Sequence, residues 1–114
     1  AVAACQQPEG YWTRSLLDPE HAPGPETSGT AFFTYGLLWG MNNGFLDKAT
    51  YQPVVEKAWK YLTTVALQPD GRIGYVQPIG EKAIPGQVVD ANSTANFGVG
   101  AFLLAACEMV RFLD

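Results

Sequence analysis

A chain of 114 residues falls within the usual size of one domain, roughly 100 to 200 residues, and folded compactly it would hide about two-thirds of its unfolded surface. Its composition is 47% hydrophobic and 16% charged, fewer charges than the roughly 25% of an ordinary soluble domain, so much of it expects burial. A net charge of −4, a pI near 4.8 and only seven basic residues, scattered along the chain, argue against a nucleic-acid partner, which needs clustered Lys and Arg.

Ala1 to Cys5 reads as the last turn of a helix, stopped by Pro8 and Gly10. From Gly10 to Pro25 periodicity is lost and Pro, Gly, Asp and Glu accumulate, which is loop chemistry. Within that loop Tyr11-Trp12-Thr13-Arg14 joins aromatic surface to a guanidinium, the combination that stacks on a sugar face and clamps a carboxylate. Trp12 equally suits a loop anchor packed on neighbouring helices. His21 is the sole histidine and has no second histidine or cysteine at ligand spacing, so it reads as exposed and without a role.

A first helix is predicted from Glu26 to Asn43, with Pro25 at its start and Gly44 where a left-handed cap falls. Phe32, Phe33, Tyr35, Leu37, Leu38, Trp39 and Met41 point all round its axis, and a helix without a polar face must be surrounded by protein. At its N-terminus Glu26, Thr27 and Ser28 sit where amides favour an anion such as a ligand carboxylate. Thr27 or Ser28 also fits as a plain helix cap.

A second helix is predicted from a cap at Thr50, through Pro53 in its first turn, to about Leu67. Val55, Ala58, Trp59, Leu62, Val65 and Ala66 keep helical spacing opposite a polar face, so this helix is amphipathic and superficial. The connection Gln68 to Ala91 opens with the turn signal Pro69-Asp70-Gly71 and is long enough to suggest function. Its β-branched and aromatic content predicts an ordered loop with a short β-hairpin around 72–88, punctuated by Pro78 and Pro85. Arg14, Arg72 and Lys82 are the loop cations available to an anionic sugar.

A third helix is predicted from near Ser93 to Leu113, again apolar all round, and Ser93, Thr94 and Asn96 at its start repeat the chemistry of Thr27, Ser28 and Thr30. Both helix starts can converge on one cleft, or both can be ordinary caps. The order buried, amphipathic, buried suggests a repeating helical hairpin of an α/α toroid. Two such inner helices need neighbours that three helices do not supply, so the chain is expected either to be part of a larger barrel or to form a homo-oligomer through exposed inner-helix faces.

Cys5 and Cys107 lie in apolar stretches and read as small hydrophobes. With no CxxC pair, no metal or cofactor is expected. No spacing singles out a catalytic pair among Asp18, Glu20, Glu26 and Asp90, so the catalytic residues stay unassigned. The longest apolar run, Phe97 to Cys107, is shorter than the roughly 18 residues of a membrane span, and neither a membrane partner nor a targeting segment is expected.

The stretch Glu26-Thr-Ser-Gly-Thr-Ala-Phe-Phe-Thr-Tyr-Gly-Leu-Leu-Trp-Gly-Met-Asn-Asn-Gly-Phe-Leu-Asp closely resembles the unsaturated rhamnogalacturonyl hydrolases of glycoside hydrolase families 105 and 88. The resemblance continues through Pro69-Asp-Gly-Arg-Ile-Gly-Tyr-Val-Gln-Pro-Ile-Gly and Gly98-Val-Gly-Ala-Phe-Leu-Leu-Ala-Ala-Cys-Glu-Met, and upstream through Gly10-Tyr-Trp-Thr-Arg. It implies an all-α fold in which residues 1–114 form a single partial domain, the C-terminal third of an (α/α)6 barrel. It further implies an enzyme whose substrate is a pectin-derived oligosaccharide ending in an unsaturated uronic acid. In that family an aspartate protonates the C4=C5 double bond, water adds at C5, and the hemiketal falls apart. No residue of this chain matches the family's essential aspartates, which lie on earlier inner helices. What carries over is a cleft wall made of Trp12, Arg14, Thr27, Ser28, Ser93, Thr94 and Asn96. Location is open between periplasm and cytoplasm. The rival readings are a non-catalytic helical module binding carbohydrate or protein, and another α/α-toroid enzyme such as a sugar epimerase.

Overall fold

A computed structural model describes residues 1–114. Three helices carry the fold, α1 over Thr27–Asn42, α2 over Lys48–Tyr61 and α3 over Asn96–Leu113. Two short 3-10 turns, Val2–Cys5 and Pro19–His21, precede them. The opening turn is thus 3-10 rather than α, and it buries no residue.

α1 packs mainly on α3 and secondarily on α2. One core cluster gathers Ala31, Tyr61, Leu62, Ala66, Ile73, Val76 and Ala101, so it ties α1 and α3 to the end of α2 and to the loop that follows. A second cluster joins Leu38 and Met41 of α1 to Val55 of α2 and Met109 of α3. Each large side chain so buried contributes about 1.5–3 kcal/mol. Between α1 and α3, the buried Glu108 carboxylate accepts the Asn42 amide at 2.7 Å and Arg111 at 3.0 Å.

α2 begins three residues earlier than expected because Asp47, not Thr50, is its cap: Asp47 Oδ2 accepts the Thr50 amide at 2.9 Å and the Thr50 hydroxyl at 2.7 Å. Its far end widens into a π turn over Leu62–Ala66, where the Leu67 amide reaches back to the Leu62 carbonyl at 3.0 Å. The Thr63 and Thr64 hydroxyls bond the Trp59 and Lys60 carbonyls there, the kind of side-chain competition that deforms a helix end.

The expected hairpin over 72–88 does not form, and the only β pairing is a single antiparallel bridge between Leu67 and Ile73. The segment is laced to its surroundings instead of to itself. The amides of Gly74, Tyr75 and Val76 donate to the carbonyls of Ala66, Asp90 and Ser93, each at 2.8 Å, and Pro78 and Pro85 bring no amide to a ladder. α3 starts at Asn96 rather than near Ser93 because Ser93 is already engaged, its carbonyl by Val76 and its amide by Asp90.

Both inner helices keep an uncovered apolar side. Phe32, Leu103, Leu104 and Val110 are exposed, and a groove of about 480 Å³ runs between Phe32, Phe97, Leu103, Leu104 and Cys107. Cys107 is therefore exposed, while Cys5 is half-buried. By length and composition α3 is apolar enough to cross a membrane, a property shared with core helices of soluble proteins. The apolar run ends at Cys107 in sequence because Glu108 follows it, yet that carboxylate is buried and paired with Arg111.

Candidate functional site

The N-terminus of α1 is closed by its own side chain. Glu26, 2% exposed, is the N-cap: Oε1 accepts the Ser28 hydroxyl and the Gly29 amide, each at 2.7 Å. Oε2 accepts the Ser28 amide at 3.1 Å and the Gln77 amide, from the distant loop, at 2.9 Å. The Thr27 amide donates to the Tyr75 carbonyl at 2.7 Å and the Thr30 amide to the Glu26 carbonyl at 3.3 Å. No first-turn amide of α1 is left to receive an external anion, which corrects the expectation drawn from Thr27 and Ser28.

Thr27 is fully buried, and its hydroxyl lies 2.7 Å from both the Tyr61 hydroxyl and the Gly74 carbonyl. Burial, more than any other influence, pushes the Tyr61 phenol well above its ordinary range, against the opposing hydrogen bond from Thr27. Next to this pair Tyr75 holds φ 62, the only non-glycine with positive φ, with its amide and carbonyl both engaged.

The Trp12 ring is 1% exposed. Its edge packs on Phe33 with centroids 5.2 Å apart, its Nε1 donates to the Val2 carbonyl at 2.9 Å, and its backbone amide donates to the Thr30 hydroxyl at 3.0 Å. The buried ring anchors the loop that carries Arg14. Arg14 reaches across to residues 84–87, donating to Gln87 Oε1 at 3.1 Å and, at 3.4 Å, to the Ile84 and Gln87 carbonyls. His21, read from sequence as without a role, lies exposed with Nε2 3.3 Å from the Ala83 carbonyl.

These anchors frame three adjoining hollows. The first, about 350 Å³, is walled by Arg14, Ser28, Gln77, Lys82, Gln87 and Phe97, with Glu81 also on its rim. The second, about 480 Å³, takes Ser93, Thr94 and Asn92 and shares Gln77 and Phe97. The third, about 190 Å³, lies between Trp12, Arg14, Glu26 and Gln77. Arg14 and Ser28 thus line the first hollow and Ser93 and Thr94 the second, and the two hollows share Gln77 and Phe97 as walls. Asn96 is exposed at the start of α3 but lines none of the three, and Arg72 turns to Asp70 at 2.8 Å.

α3 begins differently from α1. Its cap residue, Ala95, offers no side-chain acceptor, and the amides of Asn96 and Phe97 make no hydrogen bond within the chain. Ser93 does not cap it, because its hydroxyl pairs with the Asp90 amide at 3.0 Å. No group of three or more His, Cys, Asp or Glu side chains gathers to hold a metal. Gln77 lines all three hollows and was missed from sequence as a site residue; its signal was its place in Gly74-Tyr-Val-Gln-Pro-Ile-Gly, a stretch read there as part of a hairpin and of the family resemblance.

An all-helical chain with two one-sidedly uncovered inner helices, and a polar depression where their N-termini meet the return loop, has the make-up of an α/α-toroid segment. The model of Glycosyl Hydrolase Family 88 matches residues 1–113, and the chain belongs to that family. Over 110 residues it is 46% identical to the unsaturated 3S-rhamnoglycuronyl hydrolase of Formosa agariphila, covering 96% of this chain and 28% of that protein. A solved family 88 glycosyl hydrolase from Bacteroides vulgatus is 78% identical, with a TM-score of 0.92 over 97% of this chain and 32% of that one. A solved polysaccharide lyase is 89% identical, with a TM-score of 0.92 over 98% of this chain and 32% of that one. Solved chains of families 88 and 105 are α/α toroids, of which this chain matches about a third or less.

Proposed function

We propose that this chain forms one wall of the substrate cleft in a hydrolase that removes Δ4,5-unsaturated uronyl residues from pectin or rhamnogalacturonan oligosaccharides, hydrating the double bond. The family match across residues 1–113 carries the reading, and the first hollow suits it. Arg14 and Lys82 bring cationic groups to its wall, with the Gln77 side chain beside them, so a carboxylate meets charge and an amide donor in one place, while the Ser28 hydroxyl proton stays with Glu26. Ser93, Thr94 and the unengaged amides at the start of α3 extend the polar wall toward the second hollow. Trp12 and Thr27 serve this wall from behind, by fixing the loops that present Arg14 and Gln77. Asn96, exposed beside the second hollow, is assigned to a more distal sugar. In this reading residues 1–114 are the C-terminal third of the toroid, and the catalytic aspartates stand on inner helices outside these residues.

The test is the ultraviolet absorbance of the conjugated uronate. The full-length protein carrying this chain bleaches an unsaturated disaccharide, and the isolated 114-residue chain leaves it unchanged; bleaching by the isolated chain refutes the placement of the aspartates. The 89% identical polysaccharide lyase supports a second reading, β-elimination. A lyase creates the same chromophore, so acting on saturated polymer it raises the absorbance that a hydrolase lowers, and the sign of the change separates the two.

A further inference from the structure

We propose that Glu26 is a positioning residue for the cleft: its buried carboxylate latches Gln77, the first residue of the strap Gln77–Gln87, onto the N-terminus of α1. The inference rests on the cleft reading above.

Glu26 is 2% exposed, and the chain's two ion pairs, Arg72–Asp70 and Arg111–Glu108, leave it without a cation. A buried carboxylate without a counter-ion is tolerated only when hydrogen bonds satisfy it. Here four donors do so, three from α1 itself and one from Gln77. Capping alone does not explain the choice of residue, because Ser, Thr, Asp and Asn are the side chains that cap best. The additional methylene of Glu gives what those lack, reach: Oε2 meets the Gln77 amide 2.9 Å away, from a residue far along the chain.

The strap has few other holds. Arg14 grips its far end at Ile84 and Gln87, and His21 touches Ala83. Residues 78–82 make no hydrogen bond to the rest of the chain, although they supply much of the wall of the first hollow. Arg14 is tied in turn to α1, since the Trp12 amide donates to the Thr30 hydroxyl, which donates to the Glu26 carbonyl at 2.8 Å. Both ends of the strap therefore trace back to one helix N-terminus, and the latch at Gln77 sets where the wall begins.

The experiment uses the full-length protein and two variants. Glu26→Asp retains charge and a good cap but cannot span to Gln77; Gln77→Pro removes the donated amide and leaves the Glu26 cap whole. For each, amide exchange by mass spectrometry at Val76 and Gln87, the hydrogen-bonded amides at the two ends of the strap, is expected to rise about tenfold, the loss of one charge-assisted hydrogen bond. For Glu26→Asp, KM for an unsaturated disaccharide rises about as much while kcat stays within about twofold, as when ground-state and transition-state binding weaken together; Gln77→Pro, which also removes a side chain of the wall, is read by exchange alone. Unchanged strap exchange in both variants overturns the latch. So does exchange that rises evenly over α1, α2 and α3 together with a lower unfolding midpoint, since Glu26 would then be a cap and nothing more. If the protein turns over no unsaturated saccharide, the hydrolase reading falls, while the exchange measurement still decides the latch.

Discussion

At Thr27 a single hydroxyl joins three parts of the chain, α1, the end of α2 through Tyr61 and the return loop through Gly74. Thr27→Val keeps the shape and removes the hydroxyl, leaving a buried phenol and a buried carbonyl without their partner. Such a loss lowers stability by about 1–3 kcal/mol, to be read from urea unfolding of the full-length protein. Tyr61 adds a dependence on pH. Its folded pKa is raised by burial, so above the ordinary phenol value of about 10 the unfolded state ionises first and binds fewer protons than the folded state. Its contribution is fully present below that value and is lost as pH rises beyond it. Tyr61→Phe should flatten the alkaline fall in the unfolding midpoint; an unchanged fall would assign it to other groups. From sequence Thr27 read as a cap or a ligand, and its actual partners, Tyr61 and Gly74, are remote along the chain and leave no local pattern. Glu26 was visible as a carboxylate at a helix start, but its bond to Gln77 depends on tertiary placement in the same way.

The helices were legible where apolar density and punctuation agree, as with Pro25 before α1 and Gly44, at φ 80, after it. Their ends were less so. The π turn at Leu62–Ala66 carries the same residues a regular α-helix would, and Asp47 and Thr50 compete as caps until the geometry decides. The hairpin over 72–88 failed because alternation reports a chain half-buried on one side, which contacts with Ala66, Asp90 and Ser93 produce as well as strand pairing does. Two glycines mark where elements touch. Gly10 holds φ 101, and a Cβ there would overlap the Lys57 carbonyl of α2. Gly10→Ala combines an unfavourable backbone conformation with a backbone clash, and should lower stability by about 2 kcal/mol or more. Gly98 on α3 faces a side chain instead, and a Cβ added there would fall 2.5 Å from Val76 Cγ2. Gly98→Ala should therefore be rescued in part by Val76→Ala, and thermal unfolding of both single variants and the double reads that coupling.

For the molecule as a whole, the apolar side shared by α1 and α3 decides how these residues behave alone. Phe32 is 48% exposed, Leu103 57%, Leu104 44% and Val110 60%, and they flank a groove of about 480 Å³ walled almost wholly by apolar groups. A contiguous patch of that kind on a folded surface marks a contact with more protein. The chain spans 28% of the length of the curated relative from Formosa agariphila, and in the toroid reading the neighbouring inner helices lie over this groove. Deprived of them, the isolated chain should bind a hydrophobic dye and elute from gel filtration above its 12.3 kDa, through pairing of the same faces. Leu103→Glu with Leu104→Lys places opposite charges on that side without touching either core cluster, so it should return the isolated chain to its monomer volume. In the full-length protein the same pair should be damaging, because two charges would then be buried between inner helices. Opposite outcomes in the two contexts identify the groove as an internal face of the barrel. An isolated chain that is monomeric and dye-free from the start would instead mean that α1 and α3 need no covering, and would remove the main physical support for the toroid placement.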